Sequence, residues 1–155
     1  MRWTKGEKRR GRAMKGDYSD DHLKALRSLR LPREPSPIFM EIPPFLSRWA
    51  GLGLTDPDLH VLQNTILKDP AAGDVIRGTN GLRKIRFAAP GSGRGKSGSY
   101  RVLYLNVPAV GRIALWAVLS KTIADNLTKA ERDALAGRVA EFLATLATLE
   151  EGRRR

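Results

Sequence analysis

The chain has 155 residues and no cysteine, which excludes disulfides, thiolate zinc sites and thiol nucleophiles and suits a reducing cytosol. Its length suits one compact domain plus a tail, and no stretch nears the ~18 apolar residues of a membrane span, so a cytoplasmic protein without a membrane partner is expected. Lys and Arg number 28 against 16 Asp and Glu, leaving +12, a balance that points to a polyanionic partner.

Residues 1–36 are dense in charge, turn formers and prolines and read as a basic N-terminal extension, disordered or partly helical. Asp21 to Leu31 can form a short helix with Leu23, Leu26 and Leu29 on one side, stopped by Pro32, Pro35 and Pro37. A folded domain is expected over 37–150 and a basic tail over 151–155. The extension and the remainder each carry +6, so the positive excess is not confined to an arm.

Within the domain, Ile38 to Ile42 read as a strand, and Pro43-Pro44 can open a helix through Phe45, Leu46 and Trp49 that ends at Gly51. Thr55 and Asp58 have the spacing of a capping arrangement for a second helix, whose apolar face is Leu59, Leu62, Ile66 and Leu67. Asp74 to Arg77, a turn at Thr79-Asn80-Gly81, and a strand over Leu82 to Ala88 follow, with Leu82, Lys84 and Arg86 alternating against Arg83, Ile85 and Phe87. Tyr100 to Val107 and Ile113 to Leu119 are β-branched and aromatic and read as a hairpin across Pro108 to Arg112. Thr128 and Glu131 form a capping box for a last helix, with Leu135, Val139, Phe142, Leu143 and Leu146 at helical spacing. Consecutive strands with short turns predict an α+β fold: an antiparallel sheet of four or five strands, two N-terminal helices packed on it and a C-terminal helix.

Little in this chain resembles a conventional catalytic set. Gly91 to Gly98 imitates a phosphate-binding P-loop, but Pro90 occupies the place of the first glycine, and a strand rather than a helix follows. His22 and His60 have no acidic companions at metal spacing and read as surface or packing residues. Trp3, Trp49 and Trp116 do not cluster in sequence and read as core or tail residues. What stands out is the block 81–101, which holds Arg83, Lys84, Arg86, Arg94, Lys96 and Arg101 and no carboxylate. A charge run is ordinarily solvated surface. This one has a single sign, straddles two adjacent strands and their connection, and is glycine-rich where a backbone would approach a ligand. A groove lined by these cations would hold a phosphodiester backbone with strong salt dependence.

The run from Leu67 to Arg86, with Gly73-Asp74-Val75-Ile76-Arg77-Gly78-Thr79-Asn80-Gly81-Leu82-Arg83-Lys84-Ile85-Arg86 at its centre, resembles the HigB-type branch of the RelE/ParE toxin superfamily. Gly95-Lys96-Ser97-Gly98-Ser99-Tyr100-Arg101 and the strand through Tyr104 resemble that branch's glycine-lysine loop and aromatic strand, and Lys121 with Leu127-Thr128-Lys129-Ala130-Glu131 resembles a further segment. The likeness spans about residues 38 to 146 and departs at Ser97, Leu105, Thr122 and Ile123. It implies a RelE-like fold and the toxin of a type II toxin-antitoxin system, a metal-independent endoribonuclease (mRNA interferase). Such an enzyme cuts mRNA in the ribosomal A site, touches ribosomal RNA, arrests translation and growth, and is neutralised by a cognate antitoxin with a helix-turn-helix and an acidic segment. The attack would come from the substrate's own 2′-OH on the adjacent phosphorus. By motif position the resemblance places Arg83, Lys84, Arg86, Lys96, Arg101, Tyr104 and Lys121 in catalysis, and Arg94, Tyr100, Gly95 and Gly98 in RNA binding. Within the crowd of cations, Lys84 or Lys96 is the candidate proton acceptor. The alternative is a non-catalytic protein, either a ParE-like gyrase inhibitor or a toxin relic that binds only its antitoxin.

Overall fold

The structure is a computed structural model that describes residues 36–90 and 99–155, with Asp21 and Lys24 as isolated positions. Both of those are helical, while the remainder of the 21–31 helix expectation lies outside the described residues.

The elements run β1 (Ile38–Glu41), α1 (Pro43–Gly51), α2 (Asp56–Lys68), β2 (Asp74–Val75), β3 (Arg83–Phe87), β4 (Tyr100–Val107), β5 (Arg112–Leu119), α3 (Lys121–Asp125) and α4 (Lys129–Arg154). The strands form one five-stranded sheet in the order β1-β5-β4-β3-β2. The pairs β2–β3, β3–β4 and β4–β5 are antiparallel. Strand β1 is different: it lies parallel to β5, with Phe39 opposite Ile113, so the sheet is mixed and not wholly antiparallel. Two helices and three strands separate β1 from β5, which gives the chain ample length for a parallel return.

Local chemistry explains most element ends. Pro43 and Pro44 fill the first turn of α1, where a missing N–H costs nothing. Helices α2 and α4 each begin with a reciprocal capping box, Thr55 with Asp58 and Thr128 with Glu131. Between β2 and β3 the chain turns through left-handed Gly78, Asn80 and Gly81, and the Asn80 side-chain amide donates to the Ala136 carbonyl of α4 at 2.9 Å. Helix α4 continues to Arg154, so residues 151–154 are its last turn and not a separate tail. The basic Arg153 and Arg154 suit the negative end of the helix dipole.

The sheet has a helical layer on each side. Phe45 and Trp49 of α1 and Leu62 and Ile66 of α2 pack with Phe87, Val102, Ile113 and Leu115 on one face. On the other, Leu135, Val139, Phe142 and Leu143 of α4 pack with Leu82, Leu103, Leu105, Ala114 and Trp116. Leu62 and Ile66 are wholly inaccessible, and truncating such a residue to alanine costs about 2–5 kcal/mol. Among the described residues no helix is long and apolar enough to cross a membrane.

Candidate nucleic-acid interface

Strand pleating decides which of the expected site residues can meet. Residues directly opposite on paired strands point to the same side of a sheet, and successive residues point to opposite sides. The β3–β4 register sets Arg86 against Arg101 and Lys84 against Leu103. Leu103 belongs to the layer under α4, so Lys84, Arg86 and Arg101 share that side. The same register sets Arg83 against Tyr104 and Phe87 against Tyr100, all on the side of α1 and α2. The expectation of one convergent cluster is therefore corrected: Arg83, Tyr104 and Tyr100 lie across the sheet from Lys84, Arg86 and Arg101.

Arg83 and Tyr104 hold the chain between α2 and β2. The Arg83 guanidinium donates to the carbonyls of Ala71 at 3.0 Å and Gly73 at 2.8 Å. The Tyr104 hydroxyl donates to the Pro70 carbonyl at 2.9 Å and accepts the Gly73 N–H at 3.1 Å. Tyr104 is completely inaccessible, and this burial pushes its phenol above the ordinary tyrosine value, against the smaller opposing pulls of the Gly73 N–H and the Arg83 charge. With its hydroxyl engaged by Pro70 and Gly73, Tyr104 ties this loop to the sheet.

The opposite side of the sheet carries Lys84, Arg86 and Arg101. Arg101 is only 7% exposed and donates to the Ser99 hydroxyl at 3.1 Å and the Tyr100 carbonyl at 3.4 Å, whereas Arg86 is exposed. Two like charges directly opposite on paired strands are unfavourable to a sheet. Lys121 begins α3 two residues after Leu119, the β5 partner of Arg101. Helix α3 was not foreseen; the Ser120 hydroxyl caps it by accepting the Ile123 N–H. Its last residue, Asp125, accepts a hydrogen bond from Lys84 at 3.4 Å. Among the described residues no carboxylate forms an ion pair with Arg86, Arg101 or Lys121. An apolar cleft of about 280 Å³ flanks this side, lined by Leu103, Ala117, Leu119, Ile123 and Leu135 among others, with Glu131 and Arg138 also in its lining.

Lys96, Arg94, Gly95 and Gly98 lie outside the described residues, as does the P-loop-like run to which they belong; the chain after it is strand β4, as expected. His60 is exposed on α2, and among the described residues no group of three or more potential ligands could hold a metal ion. Trp49 and Trp116 are core residues. Asp125 was missed by the sequence reading, although it stands one helical turn after Lys121, the spacing that shares a helix face.

No family model matches the chain. A solved structure of an arginine-to-alanine double mutant of the E. coli toxin RelE in the free state resembles it with 17% sequence identity and a TM-score of 0.43, covering 59% of this chain and 90% of that one. At that level nothing about the site passes from one protein to the other.

Proposed function

We propose that this protein is the toxin of a type II toxin-antitoxin system, an endoribonuclease that cuts mRNA on the ribosome by attack of a 2′-OH on the adjacent phosphodiester. The observation that carries the proposal is the register of β3 and β4, which gathers Lys84, Arg86 and Arg101 on one side of the sheet, with Lys121 two residues beyond Leu119, the β5 partner of Arg101. A phosphodiester passing through its pentacovalent state gains negative charge, and fixed guanidinium and ammonium donors stabilise that charge more than they stabilise the ground state. Arginine suits the phosphorane oxygens because its planar fork grips two of them at once. The sequence resemblance to HigB-type toxins supports the same reading and adds the antitoxin and the ribosome as partners. Arg94 and Lys96, which precede β4 in sequence, would add cations for RNA, with Gly95 and Gly98 allowing close backbone approach. No metal is required by this chemistry, since the cations of the protein supply the charge.

The test is to induce expression in a bacterial host and map the 5′ ends of cellular RNA. Growth arrest with new ends inside ribosome-occupied codons is expected. Intact mRNA accompanied by broken or relaxed DNA would overturn the proposal in favour of gyrase inhibition, and neither effect would indicate a protein that only binds an antitoxin.

A further inference from the structure

Resting on that reading, we infer that Asp125 is the proton acceptor of the cleavage reaction and that Lys84, hydrogen-bonded to it, is the proton donor, so that the two restore each other after each cut. The 2′-OH must lose a proton as it attacks, and the departing 5′-oxygen must gain one. Lysine and arginine side chains in their charged forms offer donors and no acceptor. Arg86, Arg101 and Lys121 are therefore equipped to stabilise charge and not to take the proton. Tyr104 lies on the other side of the sheet with its hydroxyl already engaged by Pro70 and Gly73. Glu131, the neighbouring carboxylate in the apolar cleft, is committed to the α4 cap through the Thr128 hydroxyl at 3.0 Å. Asp74, which the β2–β3 register sets opposite Lys84, stands on the same side of the sheet, but among the described residues Asp125 is the carboxylate that pairs with one of the cations there, at 3.4 Å.

The placement of Asp125 agrees with such a task. Its partner Lys84 lies on β3 opposite Leu103, on the same side as Arg86 and Arg101. The 3.4 Å contact leaves both groups partly open, with 29% of the Lys84 and 40% of the Asp125 side chain exposed, so a ribose and a phosphate can reach both.

The step balances as follows. The 2′-O–H proton passes to an Asp125 carboxylate oxygen while the oxygen lone pair forms a bond to phosphorus. The bond from phosphorus to the 5′-oxygen breaks, its electrons remain on that oxygen, and Lys84 supplies it with a proton. The products are a 2′,3′-cyclic phosphate and a 5′-hydroxyl. Asp125 now holds one proton too many and Lys84 one too few, and transfer across their hydrogen bond returns both to the starting state.

The experiment compares full-length wild type with Asp125→Asn, Asp125→Glu and Asp125→Ala, measuring cleavage of ribosome-bound mRNA and, separately, RNA affinity. Loss of a general base typically lowers the rate roughly 10²- to 10⁴-fold. A loss of that size in Asp125→Asn, with RNA bound as tightly as or more tightly than by wild type and partial recovery in Asp125→Glu, is the expected result. Cleavage by Asp125→Asn at or above the wild-type rate would overturn the inference and show that the carboxylate merely restrains Lys84. Equal losses of rate and affinity would also overturn it, since they mean that Asp125 only shapes the binding surface. A wild type that cuts no RNA under any condition would instead sink the proposed function on which the inference rests.

Discussion

The hydroxyl of Tyr104 bridges two backbone groups of one loop, giving its proton to the Pro70 carbonyl and accepting the Gly73 N–H, from a position with no solvent access. Removing that oxygen leaves a buried N–H without its partner, which costs about 1–3 kcal/mol. Tyr104→Phe should therefore lower stability by that amount in a denaturant titration while RNA cleavage by the folded protein persists. Loss of cleavage by a fully folded Tyr104→Phe protein would return Tyr104 to the catalytic set.

Gly73 is a position where a side chain has no room. A Cβ there would stand 2.8 Å from the Tyr104 hydroxyl and 2.9 Å from the Lys84 carbonyl oxygen, one of them backbone. Gly73→Ala is expected to destabilise by about 1–3 kcal/mol, the usual cost of forced overpacking. It should also disturb Lys84, so RNA cleavage by the folded fraction should fall, as a quantitative comparison of folded protein and cleavage rate will reveal.

Alkaline solution should weaken the fold through the same phenol. Burial raises the Tyr104 value in the native state above the unfolded 10.0, so the native protein holds its proton where the unfolded chain has released it. The stabilisation is complete below pH 10 and declines as the pH climbs through and beyond that value. Tyr104→Phe should flatten this decline in thermal melts recorded across the alkaline range, and an unchanged slope would place its origin elsewhere.

Arg86 is exposed and makes no ion pair among the described residues, so Arg86→Ala should change stability by less than about 0.5 kcal/mol. Its effect should instead appear in RNA binding, where the slope of log affinity against log salt should become shallower by about 1. An identical salt slope in the variant would remove Arg86 from the RNA contact surface.

Much of this architecture could be read from residue order alone, because the signals are local. The capping boxes at Thr55 and Thr128 begin helices, Pro43 opens one, and the alternation through Leu82 to Phe87 is a pleated strand. That alternation already separated Arg83 from Lys84 and Arg86, yet grouping all six cations of the block by proximity in sequence obscured it. The pairing of β1 with β5 was not legible, since hydrophobic pattern identifies a strand but not its neighbour. Likewise nothing in the sequence announced that Tyr104 reaches Gly73, 31 positions earlier, or that Asp125 reaches Lys84, 41 positions earlier. Contacts of that range follow from strand register, a property of the assembled sheet.

The two helical layers differ in a way that can be watched by light. Trp49 sits between α1 and the sheet, 5.3 Å from the Phe45 ring and 5.5 Å from the Phe87 ring, while Trp116 meets Phe142 of α4 edge-on at 5.5 Å. Each side of the sheet thus carries its own intrinsic fluorophore. With Trp3→Phe to remove the remaining indole, a spectral shift confined to Trp116 would signal α4 lifting away, and one confined to Trp49 would signal loosening of the opposite layer.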